Sequence, residues 1–162
     1  MSEPGLTDDE LSRIEAALGF EFADDHRAFL AAGMPMGAGW PNWRAGVRSL
    51  RPLVHLPVEG ILHAVEWNDF WPSTWGSRPA RTKDALRSAN YHLDRAPRLI
   101  PVRGHHYLPA GRGSTGRPVL SVIRTDVAVA GATLADYLSG EDGAGEPAVV
   151  EFWSDLISGG RV

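Results

Sequence analysis

Apolar residues recur every three or four positions near the start of the chain and alternate with polar ones further on. Thr7-Asp8-Asp9-Glu10 has the form of a capping box. In such a box the Thr7 hydroxyl accepts from the Glu10 backbone N–H, and the Glu10 carboxylate reaches back to the Thr7 N–H. Leu11, Ile14 and Leu18 follow on one helical face, and Gly19 ends the helix. A second helix opens with Asp24 or Asp25 as its cap, turns Phe29 and Leu30 inward and stops at Gly33. Gly33, Pro35, Gly37, Gly39, Pro41 and Gly46 punctuate residues 33–48, a loop that carries Trp40 and Trp43. Ile61, His63, Val65 and Trp67 then alternate, which predicts a strand at about 59–67. Residues 68–81 form a second irregular stretch, and a third helix spans about 82–95, with Leu86, Ala89 and Leu93 inward and Pro97 beyond its end.

The second half has the pattern of a sheet. Leu99–Val102, His105–Leu108, Val119–Ile123 and Asp126–Ala130 are short strands separated by Gly, Pro and Thr-Asp turns. Thr133 and Asp136 form a second capping signal, for a short helix with Leu134, Tyr137 and Leu138 inward. Residues 139–147 are a polar linker. Val149, Phe152, Trp153, Leu156 and Ile157 then fall at i, i+3, i+4, i+7 and i+8, which predicts a docked amphipathic C-terminal helix with Trp153 in the core and a frayed tail at 158–162. The expected fold class is α+β: an N-terminal helix pair, a central, mostly antiparallel sheet of four to six strands, and flanking helices including the C-terminal one, all in a single domain over residues 1–162.

With 162 residues, 43% of them hydrophobic and 22% charged, the chain is long enough to bury a core without cross-links. It has no cysteine, which removes disulfides, thiolate nucleophiles and Cys-based zinc sites together. The polar, acidic start lacks the form of a signal peptide, and no apolar run approaches the ~20 residues of a membrane span, so a cytoplasmic location without membrane attachment is expected. The net charge of −4 is unevenly spread: residues 1–25 carry eight acids against one base, and residues 44–124 thirteen bases against five acids. That asymmetry suits an encounter with a charged surface. The acidic ends and a pI near 5.8 speak against nucleic acid.

Catalytic signals are weak. Gly111-Arg112-Gly113-Ser114-Thr115-Gly116 spells a G-x-G-x-x-G, but a dinucleotide site needs a helix to open from it, and here Arg117-Pro118 leads into a strand. The expected structure is a flexible hairpin loop. His105 and His106 on a strand would face opposite ways, and His63 and Glu66 lack the i, i+4 spacing of a zinc pair. A metal site joining His63, one of the paired histidines and Asp126 requires the fold to assemble it. Ser114 and Ser121 lack a nucleophile elbow, and Glu59, Glu66 and Asp69 fit either paired carboxylates for acid–base work or the commoner solvated edge. No catalytic, metal-binding or cofactor-binding residue is assigned.

Six tryptophans are the strongest anomaly. Trp combines large contact area with low entropic cost and is enriched at interface hot spots. Trp40 and Trp43 in one loop, and Trp67, Trp71 and Trp75 with Asn68, Phe70 and Arg78 around the other, are the candidate partner- or ligand-binding residues. The competing reading is that they pack beneath the loops as a satellite core.

Leu6-Thr7 with Glu10, Ile14-Glu15, Leu18-Gly19-Phe20, and Phe22 through Phe29-Leu30 together resemble the SUKH superfamily, which includes bacterial toxin-immunity proteins and a fungal cell-wall synthesis regulator. Trp67, Trp71, Trp75, Tyr107-Leu108-Pro109 and Asp136-Tyr137-Leu138 extend the likeness towards a Trp-rich bacterial branch. Ala23 stands where that family commonly has proline, and Ala32-Gly33 where it has Asn-Gly. The resemblance implies an α+β interaction module that binds a protein partner, such as an immunity protein that blocks a toxin domain, with no catalytic residues to carry over. The alternatives are a small-molecule-binding domain with a Trp-lined groove and a His-based metal-dependent hydrolase.

Overall fold

In the computed structural model, which describes residues 2–140 and 145–157, the first helix starts where its capping box places it. The Glu10 N–H donates to Thr7 Oγ1 (3.1 Å), the Thr7 N–H donates to Glu10 Oε1 (3.0 Å), and α1 (Asp8–Leu18) ends at Gly19, whose φ of 76° suits glycine. Buried Glu15 accepts from the Phe22 N–H (2.9 Å) and so holds the turn into α2 (Asp24–Ala32). The cap of α2 differs from expectation. Ala23 is the capping residue, without a side-chain bond, because the Asp24 and Asp25 carboxylates are engaged elsewhere. They accept from the Gly113 N–H (2.9 Å) and the Gly116 N–H (3.1 Å), fastening the glycine-rich hairpin loop to the start of α2. The loop expected to be flexible is thus tied down by its own backbone. A two-residue strand on either side of this helix pair, β1 (Ser2–Glu3) and β2 (Met34–Pro35), forms a small antiparallel sheet that the sequence pattern does not announce.

The predicted strand at 59–67 is instead the end of a 21-residue helix, α3 (Val47–Trp67), which contains Pro52 and Pro57. Each proline removes one intrahelical donor. The helix survives because Leu50, Val54, Pro57, Ile61, Ala64 and Val65 line one buried face at helical spacing. The i, i+2 alternation that suggested a strand splits in the helix into two i, i+4 pairs: Ile61 and Val65 are buried, whereas His63 and Trp67 are exposed. Beside α3 packs α4 (Thr82–Leu93), as expected, through Ala85, Ala89 and Leu93.

Four strands follow as an antiparallel meander in chain order: β3 (Leu99–Arg103), β4 (His106–Pro109), β5 (Val119–Ile123) and β6 (Asp126–Gly131). Leu99, Tyr107, Leu120, Val122 and Val127 point into the core shared with Ile61 of α3. Val102, Leu108 and Val119 point the other way, towards Ala23 and Leu134 of the short helix α5 (Leu134–Ser139). Five helices and two antiparallel sheets among the described residues make this an α+β fold.

The last element docks as expected but is not an amphipathic α-helix. Phe152 takes φ 68° and ψ −55°, and the Trp153 N–H donates to the Glu151 carbonyl (2.8 Å), which is a γ-turn of the rare positive-φ form. That turn breaks the helical run, leaving a short 3-10 turn, Trp153–Leu156. Trp153 is 1% exposed and donates its Nε1–H to the Pro97 carbonyl (2.9 Å), and Ile157 bridges to Val127 on the outer edge of β6. Residues 141–144 of the linker and the tail at 158–162 lie outside the described residues.

One buried group sets an acid limit on this core. His26 in α2 is 1% exposed, edge-on to Phe22 (5.1 Å), and neither ring nitrogen has a hydrogen-bond partner. Burial pushes its pKa from 6.5 down to about 3, so it stays neutral in the fold while the unfolded chain protonates near 6.5. The unfolded state therefore binds more protons below pH 6.5, and stability falls with pH through the window from 6.5 towards 3.

Two outcomes are expected. Ile61→Ala, at a helix position facing the sheet, should cost ~2–5 kcal/mol in urea denaturation, whereas Trp67→Ala should stay within about 0.5 kcal/mol. His26→Leu should remove about 2 kcal/mol of acid sensitivity between pH 7 and pH 5. Parallel urea midpoints for wild type and variant across that window would expose an error here as equal slopes.

Candidate functional site

The tryptophans divide into groups with different surroundings. Trp43 is 2% exposed and packs edge-on against Phe22 (5.2 Å) and Phe20 (6.5 Å), so it belongs to the core. Half-buried Trp40 lies 6.1 Å from Phe29, with the Arg103 guanidinium 5.0 Å over its ring. Around the other loop, Trp71 donates its Nε1–H to the Gly76 carbonyl (2.8 Å) and meets Trp75 edge-on (5.1 Å). Trp75 stacks with His92 (5.1 Å) and with Phe152 (5.6 Å), and Phe70 abuts it edge-on (6.3 Å). Arg78 donates to the Val65 carbonyl (3.2 Å), and the exposed Asn68 closes α3 with its N–H on the Ala64 carbonyl (2.9 Å). Phe70, Trp71 and Trp75 are therefore brought together as packing that fastens the 68–81 segment to α4 and the C-terminal turn. Trp40 and Trp43 join different clusters. Trp67 alone projects outward, at 68% exposure.

Trp67 has company along α3. Leu53, Leu56, Gly60, His63 and Trp67 fall at i, i+3, i+7, i+10 and i+14, a second stripe distinct from the buried one. At 1.5 Å per residue it runs ~21 Å. Leu53 is 39% exposed and Leu56 53%; across the cleft from Leu56, Ile123 at the end of β5 is 55% exposed. Clustered rather than scattered exposed apolar groups mark contact surfaces.

In the middle of the stripe opens a cleft of about 350 Å³, between α3 and the β5–β6 turn. A Cβ on Gly60 would lie 3.0 Å from Arg124 Cα, so the missing side chain is what lets the turn approach the helix. Leu56 and His63 stand on the helix side, Ile123 and Arg124 on the turn side, and Tyr107 and Val122 below. Tyr107 is 2% exposed, and burial raises the pKa of its hydroxyl. His105 also lines the cleft, so the fold does bring His63 and one of the paired histidines to the same place; Asp126 does not line it. His105 sits in the β3–β4 turn rather than on a strand, and its ring lies 4.4 Å from that of His106 instead of facing away. His106 Nδ1 is 2.7 Å from the Tyr137 hydroxyl, and its pKa is lowered by burial and by the neighbouring His105 and Arg103. Among the described residues no group of three or more His, Asp or Glu side chains is placed to hold a metal ion.

Two other places have their polar groups already occupied. A groove of about 490 Å³ between α1 and the start of α3 has Ile14, Leu18, Trp43 and Leu50 in its walls, with Arg44 and Glu10 beside them. Arg44 binds Glu10 through two parallel bonds (Nε–Oε2 2.8 Å, Nη2–Oε1 3.1 Å), and also Glu3 (3.3 Å) and the carbonyls of Pro4 (3.0 Å) and Gly5 (3.1 Å). Hydrogen bonding from Arg44, then from the Thr7 backbone, holds the Glu10 pKa down to about 2. The glycine-rich loop likewise spends its Gly113 and Gly116 amides on Asp24 and Asp25, whose carboxylates stand where a phosphate would have to sit.

Sequence reasoning missed Leu53, Leu56, Gly60, Tyr107, Ile123 and Arg124. The signal was present in the heptad-like spacing of 53, 56, 60, 63 and 67, but it becomes legible only when α3 is continued through both prolines. Compared with protein-family models, curated proteins and solved structures, the chain matches none.

Because Gly60 faces backbone rather than a flexible side-chain tip, Gly60→Val should cost ~1–3 kcal/mol, measured by chemical denaturation. It should also displace the β5–β6 turn, visible as amide shifts at Arg124 and Thr125. An undisturbed turn would contradict the contact.

Proposed function

We propose that this chain is a non-catalytic protein-binding module whose contact surface is the outer stripe of α3 together with the β5–β6 turn. The observation that carries the reading is the alignment of Leu53, Leu56 and Trp67 on one exposed helical line, with Ile123 beside it. Helix-borne anchors at such spacing are a recurring way to meet a partner, and Trp is the residue most enriched at energetic centres of interfaces. The polar groups beside the stripe are Glu59 and His63 on α3 and Arg124 on the turn, a rim of mixed charge. The likeness of the N-terminal helix pair to SUKH proteins supports an immunity role, with a toxin domain as the partner and the cytoplasm as the setting. Dispersal of the tryptophans among separate clusters favours a surface contact of this kind over one Trp-lined groove.

Affinity capture of the tagged chain from its native lysate tests the reading. One protein should be recovered in near-stoichiometric amount, and Trp67→Ala or Leu56→Asp should reduce recovery by at least about tenfold, as loss of a hot spot implies. Leu138→Ser, on α5 beyond the opposite face of the sheet, should leave recovery unchanged. Recovery insensitive to the α3 variants would move the interface elsewhere, and a toxin-like domain among the captured proteins would identify the immunity role.

A further inference from the structure

The cleft in the α3 stripe contains two polar groups with no internal partner. Tyr107 is 2% exposed, yet burial is the one influence on its hydroxyl, with no hydrogen bond from any described residue. Tyr107 is part of the cleft's lining. A hydroxyl without a protein partner can donate to an acceptor that an occupant supplies in place of water.

Arg124 is the second group. It is the first of the two residues that turn β5 into β6, and its φ is 56°. A positive φ at the first turn position is where glycine is the least strained choice. Instead the position holds a guanidinium that forms no salt bridge among the described residues, with its Cγ 3.7 Å from the place a Gly60 Cβ would occupy. Arg124 is exposed and lines the turn side of the cleft. Around it the walls are apolar, from Leu56, Val122 and Ile123. Glu59 lines the helix side and repels an anion there, which confines negative charge to the Arg124 side.

We propose that the cleft receives an apolar side chain with a carboxylate next to it, presented by an acidic segment of the protein partner. The apolar group lies against Leu56, Val122 and Ile123. Arg124 pairs with the carboxylate in the fork geometry that guanidinium favours. The Tyr107 hydroxyl donates to a further acceptor oxygen of the same segment. The inference rests on the protein-binding reading above and specifies the chemistry its partner must bring.

N-acetyl-leucine and its uncharged analogue N-acetyl-leucinamide are matched probes, followed by amide chemical shifts of the full chain. N-acetyl-leucine should shift Gly60, His105, Val122 and Arg124 saturably, with a dissociation constant on the order of 1 mM for a ligand of this size. The leucinamide should bind about three- to tenfold more weakly, the worth of one partly exposed charge-assisted pair. Arg124→Gly should raise the melting temperature, because it relieves the turn, and should bring the two probes to equal affinity. Tyr107→Phe should weaken both probes without changing their ratio. No saturable shift at the cleft, equal affinities in the wild type, or an Arg124→Gly variant that still prefers the acid would each overturn the proposal. If the probes fail while capture still depends on Trp67, the cleft chemistry falls and the binding module stands. If N-acetyl-leucine binds as described but no protein is captured, the site serves free carboxylates, and the partner segment is overturned together with the reading it rests on.

Discussion

A four-stranded antiparallel sheet with apolar residues on both faces must be covered twice, and most of this structure follows from how the two covers are held. Antiparallel sheets commonly leave one face to water and alternate accordingly. Here β3 is buried at four consecutive positions and β4 at three, and β6, at the edge, has one buried residue, Val127. The helix α3 closes one side over Tyr107, Leu120 and Val122, and α2 with α5 closes the other over Leu108 and Val119. A 21-residue helix with two internal prolines is tolerated because losing it would expose that whole face.

The covers are joined to the sheet by polar clasps rather than by more apolar area. Arg44 ties the loop before α3 to β1 and to the Glu10 that caps α1, so one guanidinium couples the capping box, the small sheet and the start of the long helix. Asp24 and Asp25 hold the β4–β5 loop through its amides, which joins α2 to the meander. At the other end, the strained turn at Phe152 places that ring on Trp75 (5.6 Å) and swings Trp153 down to the Pro97 carbonyl. Residues that looked like candidates for chemistry, the glycine-rich loop and most of the tryptophans, are these fasteners.

Local signals are readable where one residue decides the outcome. Thr7 with Glu10, Gly19, Thr133 and the apolar strands 99–131 are enough to place α1, α5 and the meander, because caps and turns act through neighbours in sequence. The long helix is hidden for the opposite reason. Pro52 and Pro57 are local signals against a helix, and what outweighs them is burial against a sheet that begins at Leu99, a contact no local window contains. Phe152 hides the last element in the same way, since its positive φ is stabilised by Trp75 and Pro97, far away in sequence. The outer stripe is lost with α3, and the cleft with it, because Gly60 carries meaning only once the Arg124 turn is known to press on it.

Among the described residues three non-glycine residues have positive φ: Asp69, Arg124 and Phe152. Asp69 follows the end of α3, where the Phe70 N–H returns to the Ala64 carbonyl, and a short polar side chain tolerates that backbone. Phe152 is compensated by the aromatic contacts that dock the C-terminal turn. Arg124 has no comparable return within the fold: its side chain forms no hydrogen bond or salt bridge among the described residues, and glycine would serve the turn better. It stands beside Leu56 and Ile123, which are exposed where polar residues would serve solubility better, and the same stripe carries the exposed Trp67. Departures from local preference that the fold repays are structural, and those it does not repay concentrate at functional surfaces. Arg124, Leu56, Ile123 and Trp67 gather along the outer stripe of α3 and the turn that meets it, which is why function is proposed there and not at the larger groove beside α1.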